Sequence, residues 1–183
     1  DLEAGIIRVL FNLSFVEDPT RILRAIRFEQ RYGFAIEPET LRFLQNALEH
    51  GLLSKVSPER MKSELMQMLA ETKAPYIVLR MQELAVWSAI LPGLELTDDH
   101  IRYLHDAGEH IEWFEKLQTE ASIERWLVYL LLLSIGVEQE LLQQWCTKLA
   151  LNKRECHLLL SFASCRVSLS TGLTEASANQ EVF

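Results

Sequence analysis

Glycine, proline and cysteine are scarce in this 183-residue chain, at 7, 5 and 3 residues. So few turn-formers leave no Gly/Ser-rich or Pro-rich linker and no low-complexity tract, and no internal repeat stands out. Three cysteines, Cys146, Cys156 and Cys165, are too few and too scattered for a disulfide framework. Their spacing also fails to match a zinc site, so they read as free thiols in a reducing compartment. Long apolar runs are missing too. The most apolar stretch, Trp126 to Ile135, is about half as long as a membrane span. With no signal-peptide pattern at the start, the expectation is a cytoplasmic protein with no membrane partner. A basic excess is absent as well. The net charge of −8 argues against an independent nucleic-acid binder, for which a basic footprint is expected. The acidic excess is concentrated after residue 72, so any nucleic-acid contact must use a local basic strip.

What remains is 49% hydrophobic and 24% charged, an ordinary globular balance, and its periodicity is helical almost throughout. Residues 5–10 (GIIRVL) read as a short strand or extended tail. A helix is predicted from Pro19 to about Tyr32, stopped by Gly33. Pro38 opens a second, ending at Gly51. Ser57 caps a third, with Pro58 in its first turn and Met61, Leu65, Met68 and Leu69 on its apolar face. Further helices are predicted from Pro75 to Leu84, Trp87 to Leu91, and Thr97 or Asp98 to Leu117. Three more follow: Ser122 to about Ile135, Glu138 to Ala150, and Asn152 to Ala163. The stretch after Cys165 reads as a loop and then a helix cut short. The fold class is therefore all-α, a multi-helix bundle or array.

The most informative stretch is EDPTRILRAIRF, Glu17 to Phe28. Pro19 suits a first helical position and makes Asp18 the natural N-cap. At about 100° per residue, Glu17, Arg21, Arg24, Arg27 and Arg31 fall along one side, opposite Ile22, Leu23 and Ile26. Such a face is commonly no more than solvated surface, and such an aspartate no more than a cap. The functional alternative is a polar clamp. A carboxylate accepts from the exocyclic amine of a base, and a neighbouring arginine donates to the adjacent ring nitrogen. Cytosine and adenine present that amine–acceptor edge; guanine and uracil place a carbonyl where the amine would be. An Asp18–Arg21 pair would thus favour C and A.

Three ordered blocks carry a family resemblance. DLEAGIIR, Asp1 to Arg8, resembles the end of the flexible motif that closes the catalytic head of bacterial class II tRNA nucleotidyltransferases and poly(A) polymerases. EDPTRILR, Glu17 to Arg24, resembles their nucleotide-recognition motif EDxxRxxR. SPERMKSEL, Ser57 to Leu65, resembles the following ERxxxE helical motif, and LAVWSAILP, Leu84 to Pro92, is similar to their body segment. The likeness is tight over about the first 70 residues, loose to Gly93 and unrecognisable beyond. LSFVEDPTRILRAIRFEQRYGF resembles in particular the A-adding subgroup of long bacterial proteins with CBS and DHH domains.

The resemblance implies that Asp18 and Arg21 pair with incoming CTP or ATP, that Glu17 orients Arg21, and that Arg24 lines the same pocket. It also implies that Glu59, Arg60 and Glu64 brace the neck, while the local basic strip makes Arg27 and Arg31 the candidates to meet RNA. The resemblance divides the chain into a head remnant and connector (1–18), a neck that reads nucleotide and RNA (19–72), and a helical body (73–183). The family's Gly-Gly-x-x-Arg turn and metal-binding aspartate pair have no counterpart here. Asp98-Asp99 lacks the glycine turn and reads as a cap. The expected assignment is thus a fragment with no catalytic or metal-binding residues and no cofactor of its own, inactive alone. The parent enzyme would supply the head in cis and use Mg²⁺ with ATP and CTP to add AMP, with CMP left open, to the 3′ end of tRNA or other RNA. The alternative is a stand-alone helical module binding RNA or protein without catalysis. His105-Asp106 spells the core of a metal-dependent hydrolase signature, but the further ligands that signature needs are not evident; nor does His157 beside Cys156 suggest a ligand pair. The four tryptophans read as packing residues.

Overall fold

The computed structural model describes residues 1–117 and 120–165; the predicted loop and helix after Cys165 lie outside them. Strand β1 (Ile6–Ile7) leads to α1 (Ser14–Glu17), α2 (Thr20–Tyr32) and β2 (Ala35–Ile36). Helix α3 (Pro38–Glu49), a 3₁₀ turn (Leu52–Lys55), α4 (Pro58–Leu69), α5 (Ala74–Glu83) and α6 (Trp87–Ile90) follow. Helices α7 (Asp98–Lys116), α8 (Arg125–Leu133), α9 (Gln139–Lys148) and α10 (153–165) complete the array. The all-α reading holds.

Helix α2 buries Ile22, Leu23, Ala25 and Ile26 and stops at Gly33, whose φ of 68° is the left-handed conformation that favours glycine. The chain then turns back on its own start. β2 pairs in parallel with β1, Ile6 opposite Ala35 and Ile7 opposite Ile36. The sequence suggested the first strand but not its partner. Helix α4 begins as its residues require: Ser57 accepts from the Arg60 N–H at 3.4 Å and Pro58 fills the first turn. Its predicted apolar face, Met61, Leu65, Met68 and Leu69, is buried. This helix is central, packing against α2, α5, α8 and α9. The hydrophobic core runs on past residue 72, from Met68 and Leu69 to Ala74, Ile77 and Val78.

In the second half, Thr97 and His100 cap α7 reciprocally, and His100 Nε2 lies 2.9 Å from the Ile135 carbonyl at the end of α8. Trp87, Trp126 and Trp145 are buried, whereas Trp113 is exposed. The Trp145 indole N–H donates to the Pro92 carbonyl at 2.9 Å. Two expectations are corrected. Ser122 does not cap α8. The first turn is set at Glu124, whose carbonyl accepts from both Leu127 and Val128 N–H. And Cys146 and Cys156 are not scattered: the turn between α9 and α10 brings their Cα atoms to 5.6 Å and sets their sulfurs side by side. Only a tertiary turn could reveal that proximity. Cys165 is free and exposed. No helix among the described residues is long and apolar enough to cross a membrane.

Candidate functional site

Helices α1 and α2 meet at an extended residue, Asp18, with φ −141° and ψ 94°. That conformation and its position make it cap the first turn of α2. Its Oδ1 accepts from the Thr20 N–H at 3.1 Å, although the regular helix starts one residue later than predicted. The same oxygen accepts from the Thr20 hydroxyl at 2.6 Å and from Arg60 Nη2 at 2.9 Å. Three donors thus converge on Oδ1. Oδ2 has Arg24 Nη2 at 3.6 Å, an ion pair but not a hydrogen bond. Burial raises the Asp18 pKa, but the Thr20 hydrogen bonds and the Arg60 and Arg24 charges outweigh it, and the carboxyl lies below its ordinary value. Asp18 is therefore an anchored carboxylate with one oxygen saturated and the other ion-paired to Arg24 but accepting no hydrogen bond among the described residues.

Arg21, three residues further on in the first turn of α2, is anchored by α1. Its Nη1 donates to the Ser14 hydroxyl at 2.7 Å and to the Ser14 carbonyl at 3.1 Å. Glu17 lies 3.9 Å from the same nitrogen, close enough for the predicted orienting charge but secondary to Ser14. The remaining guanidinium N–H groups have no hydrogen-bond partner among the described residues. Four residues of helix and one bend therefore anchor an acceptor, Asp18, and a fork of donors, Arg21, at the same helix junction, each through its own partners.

The other predicted residues are engaged between α2 and α4. Arg24 Nε donates to Glu64 Oε1 at 2.8 Å, and Nη2 to the Thr20 hydroxyl at 3.0 Å. The Glu64 hydrogen bond, against the cost of burial, raises the Arg24 pKa. Arg27 Nη1 donates to Gln67 at 2.6 Å, and Arg31 Nη1 to Glu71 at 3.0 Å. Each pair is separated by 40 residues, so α2 and α4 run side by side in constant register. Arg60 and Glu64 thus hold Asp18 and Arg24, while Glu59 is exposed in the first turn of α4. Arg31 has its charge matched by Glu71. Arg27, bound to a neutral amide and lying over the Phe28 ring, has no ion-pair partner among the described residues. The sequence reading missed Ser14, Thr20, Gln67 and Glu71. Only the spacing of the two motifs, EDxxRxxR and ERxxxE, hinted that their helices meet.

The Asp98-Asp99 pair opens α7 on the surface, and Asp99 is paired with Arg102 at 2.8 Å. Among the described residues no three His, Cys, Asp or Glu side chains gather as a metal site. The Mg²⁺ that the resemblance implies for the parent therefore finds no such donor cluster among the described residues.

Comparison with known proteins converges on one group. Residues 33–97 match a family described as the probable RNA and SrmB-binding site of polymerase A. The chain is 40% identical over 153 residues to an A-adding tRNA nucleotidyltransferase of Geobacter sulfurreducens, a match covering 84% of this chain and 17% of that protein. Among solved structures, a CCA-adding enzyme in complex with CTP superposes with a TM-score of 0.80 at 31% identity, covering 96% of this chain and 42% of that one. The Thermotoga maritima CCA-adding enzyme complexed with tRNA superposes with the same score, identity and coverage. The chain thus spans less than half the length of each of these relatives.

Proposed function

We propose that this chain, which belongs to the class II tRNA nucleotidyltransferase and poly(A) polymerase family, reads the incoming base and holds the RNA in an enzyme that extends RNA 3′ ends. The observation that carries the reading is the state of the clamp. Asp18 Oδ1 is saturated by three donors while Oδ2 accepts no hydrogen bond among the described residues, and Arg21 is tied to Ser14 with donors to spare. Oδ2 accepts the exocyclic amine of cytosine or adenine, and Arg21 donates to the adjacent ring nitrogen. A guanine or uracil carbonyl at that place would face a carboxylate with no proton to offer, which discriminates strongly. Arg24 belongs to the same wall, held back by Glu64. Of the two predicted RNA contacts, Arg27 is the better placed, since it has no ion-pair partner among the described residues.

The parent adds AMP, with CMP as the further substrate to be tested, to a tRNA 3′ end in the cytoplasm. The name of the Geobacter relative supports A addition. That relative is much longer than this chain, and the resemblance of residues 13–34 supports a long parent of the kind that carries CBS and DHH domains. The Mg²⁺-dependent step lies with the catalytic head of that parent.

The test uses the full-length parent with Mg²⁺, each nucleoside triphosphate singly, and tRNA transcripts ending before CCA or in CC. Addition of A to the CC-ended transcript alone marks an A-adding enzyme. Completion of CCA on the shorter one, with CTP and ATP together, marks a CCA enzyme. Asp18→Ala or Arg21→Ala should lower discrimination against GTP and UTP at least about tenfold while tRNA binding is retained. Unchanged discrimination in both variants refutes the clamp, and no addition by the wild type with tRNA still bound favours a binding module.

A further inference from the structure

Two buried hydroxyls outside the recognised motif residues flank the clamp, Thr20 at 0% exposure and Ser14 at 4%. The Thr20 hydroxyl uses its whole valence on charged groups. Its proton goes to Asp18 Oδ1 at 2.6 Å, and its lone pairs accept from Arg24 Nη2 at 3.0 Å and Arg60 Nη2 at 3.3 Å. A threonine in the first turn of a helix ordinarily satisfies itself locally. Here it ties the Asp18 carboxylate to two arginines from two helices. Ser14 does the same for the other half. Its hydroxyl and carbonyl take Arg21 Nη1, and that carbonyl also accepts from the Asp18 N–H at 3.3 Å.

Resting on the base-reading function above, we infer that Thr20 and Ser14 are specificity-determining positioning residues, which turn Oδ2 of Asp18 and the free donors of Arg21 toward one base edge. The chemistry requires such a device. A carboxylate rotates about its Cβ–Cγ bond, and either oxygen can serve. Saturating Oδ1 from Thr20 and Arg60 leaves Oδ2 as the acceptor that a base amine meets. A guanidinium on three methylenes is freer still, and fixing one terminal nitrogen on Ser14 sets the direction of the rest. Neither hydroxyl touches the nucleotide in this scheme; each acts through the side chain it holds.

The experiment measures kcat/KM for ATP and for GTP in the full-length parent enzyme carrying Thr20→Val, Thr20→Ser or Ser14→Ala, with Asp18→Ala as reference. Valine keeps the shape of threonine and removes the hydroxyl. Thr20→Val should lower the ATP-over-GTP ratio about tenfold, mainly through a raised KM for ATP. Thr20→Ser, which keeps the hydroxyl, should restore the ratio to within about twofold. Ser14→Ala should lower it through Arg21 independently, so the inference stays testable if Thr20→Val does not fold. A loss equal for both nucleotides, accompanied by a lower Tm, would mean that the hydroxyls only stabilise the helix start, and would overturn it. So would a ratio that collapses in Asp18→Ala but survives in Thr20→Val and Ser14→Ala. A ratio unchanged in Asp18→Ala would instead remove the base-reading function, and this inference with it.

Discussion

The pair of helices α2 and α4 and the group α7 to α9 are both helical and both well packed, yet they are joined by different chemistry. Between α2 and α4 the contacts facing the clamp are polar: Arg60 to Asp18, Arg24 to Glu64, Arg27 to Gln67 and Arg31 to Glu71. Around α7 to α9 the joints are apolar, built from Leu104, Tyr129, Leu130, Leu133, Leu142 and Trp145. Of the ion pairs there, Arg102 with Asp99 is local and Arg154 with Glu124 is exposed, while Arg125 on α8 makes a bidentate pair with Glu115 on α7. Partly burying charge is costly, and apolar contacts would join two helices more cheaply. That cost is borne along the joint that faces the clamp, where side chains must be aimed, although Arg125 with Glu115 and Lys62 with Glu155 also join helices through charge.

The largest effect expected of this contrast lies in the apolar half. Trp145 is fully buried and its indole N–H is bonded to the Pro92 carbonyl. Trp145→Ala would leave a cavity and an unpaired carbonyl, costing about 3–5 kcal/mol in urea unfolding. Because Trp145 hydrogen-bonds the Pro92 carbonyl and none of the clamp residues, the clamp's nucleotide discrimination should persist wherever the protein remains folded. A change in discrimination as large as that of Asp18→Ala would mean that the apolar half also aims the clamp.

Next in size is Arg24→Ala. Glu64 is largely buried, and its Oε2 has no partner among the described residues. Removing Arg24 would strand the remaining oxygen too, at about 2–3 kcal/mol in the same assay. Arg24→Met combined with Glu64→Leu should recover most of that stability, since a missing pair costs less than half a pair. Stability recovered without nucleotide discrimination would sharpen the view that these charges aim rather than stabilise. Recovery of both would contradict it.

The contrast also explains what the sequence made legible. Helices α2, α3 and α4, the stop at Gly33 and the caps at Ser57 and Thr97 follow from local rules, and the structure has them. Helix α1 and strand β2 went unread because four and two residues are too short to show a period. Asp18 and Arg21 stood out by residue type and motif. Ser14 and Thr20 did not, because a serine and a threonine near a helix start ordinarily signify capping and nothing more. The arginines at 24, 27 and 31 were read as one presented face. Their partners 40 residues on turn part of that face into an interhelical joint, a tertiary fact that no local pattern encodes. The proximity of Cys146 to Cys156 was hidden for the same reason.

The smallest expected effect is on acid stability, and it separates the two regions most directly. Asp18 titrates below its ordinary value near 3.8, because the Thr20 hydrogen bonds and the Arg60 and Arg24 charges together outweigh the opposing effect of burial. A carboxyl depressed in the folded state stabilises it above its unfolded pKa, and that contribution is lost as pH falls through the lower folded value. Asp18→Asn keeps the shape and an acceptor oxygen but has no proton to take up. The wild type should therefore be more stable than Asp18→Asn at pH 7. The gap should persist down to about pH 5 and close as the pH drops below 4. Urea unfolding of both proteins across that range measures it. A gap that is constant with pH would mean that Asp18 contributes through shape and capping alone, and that the arginines around it do not hold its charge.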